Sequence, residues 1–87
     1  MKMQTLAETS ETRELVRWEL ERANQHIVCA IEAVPSESAF DIAMVPLWNE
    51  RLTARESFAT PAGAFQRYAA IVAGLRDAGW SVCAYTA

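Results

Sequence analysis

The chain has 87 residues, 52% of them hydrophobic, with eight Lys/Arg against eleven Asp/Glu and a net charge of −3. That length suits one domain with a single modest core, and the hydrophobic fraction argues against disorder. Lys2 is the only lysine and no basic run occurs, so non-specific nucleic-acid binding has little electrostatic drive.

No apolar run approaches the roughly 20 residues that a membrane helix needs. The N-terminus lacks the apolar centre of a signal peptide. Two cysteines, Cys29 and Cys83, do not make a disulfide framework, and each sits in an apolar run where a buried thiol is expected. The expected setting is reduced and cytoplasmic, with no membrane contact.

Residues 1–9 read as a loosely ordered segment, followed by a single α+β domain over residues 10–87. Ser10 to Gln25 reads as a helix with Ser10 as N-cap and Glu11 and Glu14 suited to its dipole. Thr12, Val16, Leu20 and Ala23 line up at helical spacing as its core face. Trp18 then falls on the polar side.

His26 to Val34 reads as a strand, with Ile27, Cys29, Ile31 and Ala33 on one face. Pro35 to Ser38 is turn chemistry. Phe40 to Trp48 reads as a second strand, apolar on both faces and therefore interior to a sheet. Pro46 belongs near its end, since it donates nothing to a ladder. Glu32 and Asp41 flank this hairpin and are expected to face each other.

Asn49-Glu50 is a weak turn signal. Arg51 to Phe58 alternates in the manner of a half-exposed edge strand, with a short helix as the competing reading. Thr60-Pro61 starts a helix and Gly79 stops it. Its expected core face is Phe65, Tyr68, Ala69, Ile71, Val72 and Leu75. Trp80 to Ala87 reads as the last strand. The expected order is α-β-β-β-α-β, a mostly antiparallel sheet with helices packed on one face.

The chemistry-bearing residues give little. His26 is the only histidine and lies on the strand face opposite to Cys29, so no local Cys–His nucleophile is built. His26, Cys29 and Cys83 lack the paired spacing of a zinc site. Gly63, Gly74 and Gly79 are too dispersed for a phosphate loop. No catalytic residue, metal or cofactor is assigned.

Two apolar surfaces and one polar one stand out instead. Trp18, with Arg22 beside it, exposes apolar area of the kind enriched at interfaces. The back of the second helix, Gly63, Ala70, Gly74 and Ala78, is smooth and interrupted mainly by Arg67. A polar strand face of Arg51, Thr53, Arg55 and Ser57 offers phosphate or carboxylate recognition.

The first expectation is therefore a non-enzymatic protein-interaction module that self-associates or docks a protein partner. In size, acidity and lack of catalytic apparatus it resembles the small modulators of phages and mobile elements, such as anti-CRISPR proteins and antitoxins, a resemblance of format rather than motif. The alternatives are a nucleic-acid-associated regulator using Arg51, Arg55 and Arg67, and a small ligand-binding protein or enzyme with a pocket near Trp48, Tyr68 and Trp80.

Overall fold

The computed structural model describes residues 12–86. The segment 1–9, the expected cap Ser10, Glu11 and Ala87 lie outside the described residues. Five strands and one helix follow in the order β1 (Arg13–Arg22), β2 (Gln25–Val34), β3 (Ala39–Pro46), β4 (Ala54–Phe58), α1 (Pro61–Asp77) and β5 (Ser81–Thr86). The strands form one sheet in the order β4-β3-β2-β1-β5, with every neighbouring pair antiparallel. The domain is α+β, but among the described residues its order is β-β-β-β-α-β and a single helix covers the sheet.

The expected helix over Ser10 to Gln25 is overturned: its described part is strand β1. The reason is a competing period. Val16, Trp18 and Leu20 alternate with Arg17, Glu19 and Glu21, a half-buried strand pattern that puts all three apolar residues on one face. Ala23 and Asn24 close a hairpin between the paired residues Arg22 and Gln25, with φ of 51° and 66°. Positive φ at both central positions is the signature of a two-residue type I′ turn, which a helix cannot contain. Ala23 is thus an exposed turn residue, not core.

The other strands lie close to their sequence positions. β3 is interior, between β2 and β4, and Pro46 ends it, beyond the stretch Phe40 to Met44 that pairs with β4. The segment Arg51 to Phe58 divides into a 3-10 turn over Glu50–Leu52 and the edge strand β4. Asn49 caps that turn, its side-chain oxygen accepting from the Arg51 N–H at 3.2 Å.

Helix α1 begins and ends on its sequence signals. Thr60 accepts from the Gly63 N–H at 3.1 Å and Pro61 occupies the first turn. At the other end the Gly79 N–H donates to Arg76 O and the Trp80 N–H to Leu75 O, each at 3.0 Å, with Gly79 at φ 100°. That is a Schellman stop, in which only the left-handed residue lets the chain satisfy the last carbonyls. The chain then enters β5 directly.

These connections dictate how the helix lies. It starts after Phe58, which pairs with Phe40 on one sheet edge. It ends before Ser81, which pairs with Glu21 on the other edge and at the opposite end of the strands. Helix α1 therefore crosses one sheet face diagonally. Beneath it Leu20, Cys29, Ile31 and Ile42 are fully buried, with Ala64, Tyr68, Val72 and Trp80 above and beside them. Each such large aliphatic side chain contributes roughly 1.5–3 kcal/mol of burial.

Candidate functional site

Among the described residues, the diagonal leaves one corner of the apolar face uncovered. There Val16 and Trp18 of β1 face Phe65, Ala69, Ala73 and Arg76 along one flank of α1, with Tyr68 and Val72 as the floor. The space between them is an open apolar groove of about 440 Å³. Trp18 meets Tyr68 edge-on at 6.3 Å and Tyr85 of β5 at 6.0 Å. Tyr85 itself is 70% exposed and extends the apolar surface to the sheet edge. Among the described residues Arg76 is the only charged one lining the groove.

This corner redistributes the expected interface residues. Trp18 is not on a polar helix side; it stands on the helix-covered sheet face, partly buried. Phe65 and Ala69, expected in the core, are exposed and line the groove instead, because the buried row of α1 runs through Ala64, Tyr68 and Val72.

Arg22 and Ala78 meet within the chain. The Arg22 guanidinium donates to Ala78 O at 2.8 Å and sits 5.1 Å from the Trp80 ring centroid. It thereby caps the negative end of the helix and covers an aromatic face. Gly63 belongs to the helix start. Ala70 and Gly74 are exposed, and a side chain built on Gly74 would meet nothing within 4 Å.

The expected polar strand face is engaged internally. Arg55 donates to Glu32 at 2.8 Å and lies 3.9 Å from Asp41, while the Ser57 hydroxyl donates to Asp41 at 2.6 Å. Thr53 donates its hydroxyl to Glu50 O at 2.6 Å. Arg51 is in the 3-10 turn rather than on the strand. Arg67 holds Glu56 through two donors, at 3.1 and 3.3 Å. The residues Trp48, Tyr68 and Trp80 do not share a pocket: Trp48 stacks on Trp80 at 6.2 Å, and Tyr68 belongs to the groove.

On the opposite, open sheet face, β1, β2 and β5 bring together Glu19 and His26 of the first hairpin and the sequence-remote Cys83. The His26 Nδ1 and a Glu19 carboxylate oxygen are 2.7 Å apart. The Cys83 Sγ lies 3.9 Å from the same ring nitrogen and its thiol donates to Glu19 O at 3.4 Å. The His26 Nε2 is 4.0 Å from Glu21. Cys83 reaches this face through a bulge: Glu19 pairs with Ala84 and Leu20 with Val82, leaving Cys83 as the extra residue.

This is not an activated nucleophile. Desolvation and the charges of Glu19 and Glu21 push the Cys83 thiol up, so it keeps its proton. The nitrogen nearest the sulfur is the one already held by Glu19, so among the described residues no free base faces the thiol. The other cysteine, Cys29, is buried on the helix-covered face and its thiol is pushed up to about 11 by burial.

Sequence reading placed His26 and Cys29 on opposite faces, as found, but missed that Cys83 would join His26. The missing signal was again the strand character of β1, which is the element that lies between β2 and β5 and carries Glu19.

Comparison with protein-family models, curated proteins and solved structures finds no match. No helix among the described residues is long and apolar enough to cross a membrane.

Proposed function

We propose that the protein is a non-enzymatic interaction module that takes an extended segment of a partner protein along the free edge of β5, with an apolar side chain of that segment seated in the groove beside Trp18. The observation that carries this reading is the asymmetry between the two sheet edges. Edge strand β4 holds Arg55 and Glu56 on its two faces, the usual guard against strand addition. Edge strand β5, Ser81–Thr86, has no charged residue. Among the described residues only β1 pairs with it. Its outer backbone groups are a template for β-addition, and the groove supplies side-chain selectivity. Arg76 favours a carboxylate on the incoming segment.

An inhibitor or modulator of the anti-CRISPR or antitoxin kind is one use for such a module. The nucleic-acid reading is disfavoured by the arrangement, because Arg55 and Arg67 are both paired with carboxylates of the same chain and Arg51 lies apart from them in the 3-10 turn.

The test is selection of extended peptides from a displayed library by the full chain, with affinities measured for Phe65→Ser, Tyr85→Lys and Arg67→Ala. The reading expects enriched peptides whose affinity falls at least about tenfold in the first two variants and is unchanged in the third. Equal binding by all three, or no enrichment, overturns it. Light scattering that shows a dimer dissolved by Tyr85→Lys would assign the edge to a second copy and also overturn the partner reading.

A further inference from the structure

The cluster on the open sheet face is required neither by the fold nor by the proposed docking surface. One ligand atom each from Glu19, His26 and Cys83 lies within 4.8 Å of the others. We propose that these three residues form a binding site for one divalent transition-metal ion, zinc by preference, with a fourth position open to solvent. The proposal is independent of the docking reading.

The donor set is the first argument. A thiolate, an imidazole and a carboxylate together suit a borderline ion such as zinc and are poor for calcium or magnesium, which take oxygen ligands.

The spacing is the second. Tetrahedral zinc places a bound sulfur and a bound nitrogen about 3.6 Å apart, and a bound nitrogen and oxygen about 3.3 Å apart. The sulfur–nitrogen distance here is 3.9 Å and the nitrogen–oxygen distance is 2.7 Å. These two distances are within about 0.6 Å of their bound values, and all three donor atoms lie within 4.8 Å of one another on side chains that are half-buried (Glu19, His26) or exposed (Cys83) and so have room to close on an ion.

The bulge is the third argument. Without the extra residue in β5, alternation would not deliver a thiol beside Glu19.

Charge and outer-shell chemistry complete the site. Glu19 and Glu21 flank His26 on the same face, at 2.7 and 4.0 Å from its two ring nitrogens. Binding through Nδ1 moves the ring proton to Nε2, where Glu21 accepts it as the carboxylate behind a metal-bound histidine. The thiol releases its proton to solvent as the sulfur–metal bond forms, so one proton leaves per ion bound and affinity rises with pH.

The experiment is titration of the full-length, reduced protein with Co²⁺, followed by near-ultraviolet absorption and by competition with Zn²⁺. The expected result is a one-to-one complex with a thiolate-to-cobalt charge-transfer band that Zn²⁺ abolishes. Cys83→Ser and His26→Ala should remove the band with circular dichroism unchanged. Glu21→Gln should retain it with affinity weakened about tenfold, and Cys29→Ala should retain it in full. Absence of the band in the wild type overturns the proposal. So does a metal affinity that Cys83→Ser leaves unchanged, which would mark adventitious binding to surface carboxylates.

Discussion

The Tyr68 hydroxyl donates to the backbone carbonyl of Cys29 at 2.6 Å, tying the middle of α1 to an interior strand. Tyr68 is also the floor of the groove and the edge-on partner of Trp18. Tyr68→Phe removes the hydrogen bond and keeps the ring. It should cost about 1 kcal/mol, seen as a melting temperature lower by about 4–8 °C. Tyr68→Ala also removes the packed ring and should cost about 3–5 kcal/mol. Thermal and urea denaturation measure both. A Tyr68→Phe protein as stable as wild type would show that the hydroxyl contributes nothing net.

Alkaline pH should weaken the fold. Burial raises the Cys29 thiol from an ordinary 9.0 to about 11, and burial likewise raises the Tyr68 phenol. Both groups are neutral when protonated, so the folded state holds their protons more tightly than the unfolded chain. Unfolding then releases protons, and stability falls as pH rises through the window from 9.0 to about 11 set by Cys29. Two units correspond to about 3 kcal/mol at the top of that window. Urea midpoints measured across it should decline. The decline should be shallower in Cys29→Ala, although that variant starts lower because it leaves a small cavity. Identical slopes in the two proteins would remove Cys29 as the cause.

The first hairpin carries avoidable strain. Ala23 and Asn24 both have positive φ, at 51° and 66°. Left-handed backbone costs an alanine roughly 1–2 kcal/mol, whereas asparagine then glycine is the favoured pair for this turn. The double variant Ala23→Asn, Asn24→Gly should gain about 1 kcal/mol or more in denaturant midpoint without altering the strand register. A neutral or destabilised double variant would mean that the turn geometry is held by something other than local preference.

The same hairpin explains which parts of the fold were legible in the sequence. The helix α1 carries its cap, its proline and its glycine within one continuous stretch, so local chemistry was sufficient to place it. β2 and β3 were marked by apolar runs bounded by turn residues and β4 by alternation alone, and Glu32 and Asp41 do face each other across the β2–β3 pair. β1 was misread because Thr12, Val16, Leu20 and Ala23 satisfy a helical period while Val16, Trp18 and Leu20 satisfy a strand period. An Ala-Asn turn lacks the glycine that would have decided between them.

Arg51 left the strand through a local 3-10 turn capped by Asn49, and the other misplacements follow from that one ambiguity or from tertiary geometry. Trp18 changed faces with β1. Cys83 reached His26 only because β1 lies between β2 and β5 and β5 is bulged. Phe65 was exposed by the diagonal course of α1, which no local pattern encodes.

The paired carboxylates beneath Arg55 give the last prediction. Glu32 and Asp41 are cross-strand partners on the open face, with side chains only 19% and 14% exposed. Like charges in that position repel, and Arg55 offsets the repulsion by lying 2.8 Å from one and 3.9 Å from the other. Arg55 is itself half exposed, so the pair energies alone are small. Its removal, however, leaves two poorly solvated carboxylates facing each other. Arg55→Ala should therefore cost about 1 kcal/mol at neutral pH and low salt. Arg67→Ala, which breaks an exposed pair with Glu56, should leave the denaturation midpoint essentially unchanged. Adding Asp41→Asn to Arg55→Ala should restore most of the loss, giving a coupling of roughly 0.5–1 kcal/mol in a double-mutant cycle. Raising the salt concentration should shrink the Arg55→Ala deficit by screening the two carboxylates. If Asp41→Asn deepens the deficit instead, the hydrogen bond from Ser57 to Asp41 outweighs the repulsion and this account of Arg55 fails.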